Sequence, residues 1–276
     1  MKGRLTTLAL LSAETEAMPE AGHTVQNVLV VDTATRRAVV AVVRDDHVLA
    51  AAFHEQPTMH GEQLFSMMDE VLAMSELGMS SIDLLAVGMG PGSFTGVRVG
   101  MAASKGLAFA QRIPMTGVLS LAAMAHAARR VVGMCPVVSL VDAKKNEVFV
   151  ACFGSRGEML AGPAHTHRDD VSSWIAAVPM IGDEPVVVGE VASGLVLERV
   201  KHVRAWECCL PGPQAMASLA IALWNERHED QLDTLEPLYV RPPDITQPVY
   251  LASEPLVAVA SVAEGRRELD ERRGSP

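Results

Sequence analysis

Between an apolar strand (84–87) and an apolar helix (97–110) runs Gly90-Pro-Gly-Ser-Phe-Thr-Gly-Val-Arg-Val-Gly100. It holds four glycines, a proline, two hydroxyls and an arginine. Glycines at a strand–helix junction let backbone amides approach a phosphate, or let two segments pack closely. Two phosphate cradles are excluded by spacing. A P-loop needs glycine five positions after the first, but Gly90 is followed there by Thr95 and Gly92 by Val97; a dinucleotide fingerprint begun at Gly90 would also need glycine at Thr95. The loop lines some other phosphate site or serves packing.

Other chemistry-bearing residues are scattered. Ser93 follows Pro91-Gly92 and precedes Phe94-Thr95, so it is not the Gly-x-Ser-x-Gly elbow of a hydrolase. His165 and His167, near Asp169 and Asp170, would share a face only in a strand; the segment reads as a loop ahead of a helix, and no metal site is expected. Lys144-Lys145 reads as a solvated turn, or as a phosphate contact if it faces a cleft. Arg98 opposes the dipole in the first turn of its helix, which calls for a compensating carboxylate or phosphate unless it forms an ordinary surface ion pair.

Composition narrows the classes. The chain has 276 residues, 49% hydrophobic and 20% charged, enough for a sizeable core. Its net charge of −10 argues against gripping nucleic acid unaided, because phosphate neutralisation carries most of that affinity. No apolar run approaches the ~20 residues of a membrane span. Cys135, Cys152, Cys208 and Cys209 lack Cys-x-x-Cys spacing, so a reduced, cytoplasmic setting is expected. Lys2 and Arg4 precede the apolar run 5–13, but Glu14 and Glu16 follow at once; an unstructured extension over 1–26 is expected rather than a secretion signal.

The elements that must position these residues repeat. Strands are expected at 28–31, 38–43 and 48–54, with a turn at Asp45-Asp46, then a helix over 61–74, the strand 84–87 and the helix after the loop. The second half restarts with strands at 137–141 and 148–153 and a short one at 159–160. A helix near 171–177, a strand at 186–188 and a helix over 214–224 follow. Asp32 and Asp142 each close the first strand of their half. In the helix over 61–74, Leu64, Phe65, Met67, Met68, Val71 and Leu72 form one broad apolar stripe, suited to covering a sheet or to serving both core and partner.

The glycine loop, Val31-Asp-Thr-Ala-Thr35, Val141-Asp-Ala-Lys-Lys-Asn-Glu-Val-Phe149 and Glu236-Pro-Leu-Tyr-Val-Arg241 occur in that order. Over roughly residues 27–250 the chain thereby resembles the bacterial TsaB (YeaZ) family, small actin-like subunits of the machinery that places threonylcarbamoyl on adenosine 37 of tRNA. The resemblance implies an α/β, two-lobed actin/hexokinase/Hsp70-like fold built from a duplicated βββαβα unit. The lobes would be 27–117 and 118–250, with the C-terminal helix free to pack on the first and a tail over 251–276. Nucleotide-using members carry glycines after both aspartates; Asp32, Thr33 and Asp142 here are degenerate versions of those phosphate positions.

Further implications concern partners. The catalytic relative, of the TsaD family, carries a metal-binding His-x-x-x-His after its own loop and helix, whereas His126 stands alone in the corresponding stretch. The resemblance implies a non-catalytic, dimerising and activating subunit for a TsaD-type transferase, with a TsaE-type ATPase as third partner, tRNA reached through the complex, and a homodimer possible in isolation. His60, Leu64, Met67, Met68 and Val71 are the implied partner contacts. Gly90, Gly92, Ser93, Thr95, Gly96 and Arg98 are a possible composite site, where ATP or ADP would bind only together with a partner. The rivals are a free-standing kinase or metallopeptidase of the same fold and a homodimeric binding module unrelated to tRNA.

Overall fold

A computed structural model describes residues 25–55, 61–179, 184–195, 197, 201–202 and 209–241. His60, Cys208, most of the N-terminal extension and the tail over 251–276 lie outside them.

Valine-rich runs form two five-stranded sheets, whose inner strands are nearly continuous in apolar residues because both faces are covered. The first contains β1 (Asn27–Asp32), β2 (Ala38–Arg44), β3 (His47–His54), β4 (Leu84–Gly88) and β5 (Met115–Val118), in the order β3-β2-β1-β4-β5. The second contains β6 (Val137–Lys144), β7 (Glu147–Phe153), β8 (Met159–His167), β9 (Val186–Val188) and β10 (Lys201–His202), in the order β10-β9-β6-β7-β8. The sheets share one topology. In each, the first three strands form an antiparallel meander and the last two join parallel on the other side of the first strand. This is the duplicated actin/hexokinase-like arrangement. Its hairpins turn on residues with positive φ, Asp45 and Asp46 in one half and Lys144, Lys145 and Asn146 in the other.

Helices complete the layers. α1 (Gly61–Met74) and α2 (Phe94–Gln111) cover one face of the first sheet, where Leu64, Met68 and Val71 meet Leu29, Val40 and Leu85. α5 (Pro213–Arg227) covers the opposite face through Met216, Ala220 and Trp224. α3 (Ser120–Val132) packs on the second sheet with Leu121 and Met124 and also contacts α5. α4 (Val171–Ala177) covers the far face of that sheet.

Several elements differ from expectation. β8 runs to His167, well past residue 160, so His165 and His167 lie in a strand rather than a loop. β5 and α3 fill a stretch to which the sequence assigned no element. α5 is longer at both ends; Pro213 starts it at a position that has no amide to lose.

Candidate functional site

The glycine loop folds onto the turn that follows β1. The Ser93 amide donates to the Ala34 carbonyl, and the Thr33 hydroxyl donates to the Gly96 carbonyl across 2.7 Å. A Cβ on Gly92 would stand 1.9 Å from the Ala34 oxygen, and one on Gly96 2.2 Å from the Thr33 oxygen. Those distances leave room for hydrogen alone, so both glycines serve close packing. The Ser93 hydroxyl caps α2 by accepting from the Gly96 amide. Thr95 is exposed one residue into the helix. Gly90 has a φ of +90° and lies beside the Leu238 carbonyl.

Asp32 sits beneath this contact, 1% exposed. Its carboxylate accepts from the Ser120 hydroxyl at 2.6 Å and from the Ala34 amide at 3.0 Å. Burial dominates these two hydrogen bonds and raises its pKa to about 6. The turn after β1 is thus packed directly against the glycine loop through backbone contacts. Asp142, its counterpart in the second sheet, is more accessible. Burial pushes its carboxyl up, but hydrogen bonds from Lys144 and Arg168 outweigh burial and hold it below the usual range. Arg36, in the first turn, pairs with Glu190, which follows β9 and whose pKa burial raises. That ion pair joins the two halves.

The segment 236–241 straps both halves. The Leu238 amide donates to the Met89 carbonyl, Val240 packs on the second core, and Arg241 donates to Glu147. Tyr239 and Phe94 hold Arg98 between them. The Arg98 Nε donates to the Tyr239 hydroxyl at 2.6 Å, and its guanidinium lies 3.7 Å from the Phe94 ring centroid. α2 begins at Phe94, earlier than expected, so Arg98 lies beyond its first turn; among the described residues its contacts are the two aromatic side chains rather than an acid.

On α1 the rotational phase is corrected. Leu64, Met67, Met68 and Val71 are all buried in the first core, so they do not form an open partner surface. The outward face instead carries Glu62, Phe65, Ser66, Asp69, Glu70, Ala73 and Met74, with Phe65 45% exposed. On α2 the outward residues include Ala102, Gly106 and Phe109, and a Cβ on Gly106 would meet nothing within 4 Å.

Elsewhere, His165 lies 2.9 Å from Glu147 and 5.9 Å from the Phe149 ring, while His167 contacts Asp169. Among the described residues no three His, Cys, Asp or Glu side chains converge as metal ligands. His126 has Ala122 and Arg130 one helical turn away on either side, and burial and the neighbouring arginines lower its pKa. Sequence reasoning missed Ser120, Glu190 and Arg168. It had marked the segment 236–241 without a place for it.

A family model for the tRNA N6-adenosine threonylcarbamoyltransferase TsaD matches residues 48–179. The tRNA threonylcarbamoyladenosine biosynthesis protein TsaB of Escherichia coli K12 is 32% identical over 232 residues, covering 78% of this chain and 94% of its own. The chain belongs to the TsaB family. The TsaB protein of Haemophilus influenzae is 32% identical over 222 residues, covering 77% of this chain and 92% of its own. The solved structure of YeaZ from Pseudomonas aeruginosa superposes with a TM-score of 0.65 at 29% identity, over 78% of this chain and 99% of that one. The loop, the strap and the Asp32 turn are accordingly features of a TsaB-family chain. No helix among the described residues is long and apolar enough to cross a membrane.

Proposed function

We propose that this TsaB-family chain is the non-catalytic subunit that binds and activates a TsaD-type threonylcarbamoyltransferase in tRNA threonylcarbamoyladenosine synthesis. The packed turn at Asp32 carries this reading. Where a working kinase of the fold would bring glycine amides to a phosphate, Gly92 and Gly96 lie against the Ala34 and Thr33 carbonyl oxygens, too close to admit a methyl group. His126 has no histidine one turn away, which favours an activating role over metal-dependent transfer or peptide hydrolysis.

The outward face of α1 and α2 suits the partner. Phe65, Met74 and Phe109 are exposed apolar side chains, and Ala102 and Gly106 would allow a partner helix to approach closely. A TsaE-type ATPase is the third component in this reading, tRNA is reached through the complex, and a homodimer would use the same face in isolation. ATP or ADP would bind only at a surface shared with a partner.

Reconstitution tests the proposal. The TsaD-type and TsaE-type proteins of the same organism, ATP, threonylcarbamoyl-AMP and tRNA are combined with and without this chain. Modification that requires the chain, together with a co-eluting complex, is expected. Full modification without it, and no co-elution, would leave the unrelated binding module as the better reading.

A further inference from the structure

Arg98 is an exposed guanidinium fixed in place by aromatic side chains. Its Nε is committed to the Tyr239 hydroxyl at 2.6 Å, and its plane is held 3.7 Å from the Phe94 centroid and 5.3 Å from that of Tyr239. The two rings lie 5.0 Å apart. No carboxylate among the described residues pairs with it, although the chain carries a net charge of −10. Packing holds this cation at the fifth residue of α2, one turn past the Ser93 cap.

We infer that Arg98 is an anchor for a carboxylate side chain on the catalytic partner protein, an inference that rests on the partner reading above. With Nε occupied, the remaining donors are the two terminal nitrogens, which match a carboxylate in bidentate geometry. Clamping by Phe94 and Tyr239 restricts the side chain before the partner arrives, so less ordering is required on binding. The aromatic shelf would exclude water from the pair once it is covered, which strengthens the attraction. Tyrosine and arginine are also the residue types that dominate interface energetics. A nucleic-acid phosphate would match the same fork, but the acidic balance of the chain disfavours it.

The test measures the affinity of the full chain for its own organism's TsaD-type protein by calorimetry, at low and at high salt. Arg98→Ala is expected to weaken binding by about 30-fold or more and to reduce its salt sensitivity, with an unchanged thermal midpoint. Arg98→Lys should recover only part of the affinity, because an ammonium lacks the fork. Tyr239→Phe, which keeps the ring and releases Nε, should weaken binding less than Arg98→Ala. Arg98→Glu should regain affinity with one partner variant in which an Asp or Glu is changed to Arg.

Binding by Arg98→Ala within about twofold of wild type would overturn the inference while leaving the partner reading intact. So would unchanged partner affinity with weakened tRNA binding, which would assign the fork to phosphate. Failure of the wild-type chain to bind the partner at all would overturn the partner reading, and the inference with it.

Discussion

The Thr33 hydroxyl donates to the Gly96 carbonyl across 2.7 Å, and a Cβ on Gly96 would stand 2.2 Å from the Thr33 carbonyl oxygen. These two residues join the β1 turn to the first turn of α2. Gly96→Ala and Gly92→Ala are each expected to destabilise the fold by about 2–3 kcal/mol, since backbone must move to admit the methyl group. Gly96→Val should do so more severely and lower modification by the complex. Urea unfolding midpoints beside reconstituted activity would decide it: Gly96→Val with wild-type stability but no activity would make the loop a ligand site.

Asp32 makes stability depend on pH. Its folded pKa is about 6 against an ordinary value near 3.8, and burial is the main cause. Below the ordinary value the carboxyl is protonated in both states and folding carries no charge penalty. As pH rises toward 6 the unfolded state ionises first, so stability falls, by about 3 kcal/mol once pH exceeds the folded value. Asp32→Asn retains an acceptor for the Ala34 amide and gains a donor for Ser120. It should remove this contribution and be more stable than wild type at pH 8. An unchanged difference between urea midpoints at pH 5 and pH 8 in the variant would reject the assignment.

The two faces of α1 separate folding from recognition. Met68 is 1% exposed, and Met68→Ala should lower stability by about 2–4 kcal/mol. Phe65 is 45% exposed, and Phe65→Asp should stay within about 0.5 kcal/mol of wild type while weakening co-elution with the TsaD-type partner. Undiminished co-elution of the Phe65 variant would remove this face from the interface.

Periodicity explains why α1 was placed correctly while its exposed face was not. Leu64, Met67, Met68 and Val71 mark an apolar stripe, and a stripe that wide gives no sign of which part the sheet will cover. The valine runs of β1, β2, β6 and β7, and the hairpin at Asp45-Asp46, were legible because each is local. β8 was cut short because Gly162 and Pro163 look like breakers in a linear sequence, although the strand continues through them. The β5–α3 stretch offered four residues with a glycine, followed by an alanine-rich segment. Tyr239 lies 141 residues from Arg98, and Glu190 far from Arg36, so neither contact leaves a spacing signal.

In the proposed reading ATP does not bind this chain alone, and two features could account for that: the ion pair between Arg36 and Glu190, or the close packing of the Asp32 turn against the glycine loop. The packing of Gly92 and Gly96 favours the second. Arg36 is 49% exposed, so the pair should contribute no more than about 1 kcal/mol. Removing it with Arg36→Ala and Glu190→Ala should therefore leave a folded protein that still fails to bind ATP alone in equilibrium dialysis. ATP binding by the double variant, absent in wild type, would show instead that the ion pair is the barrier and that the turn beneath it remains a working phosphate site.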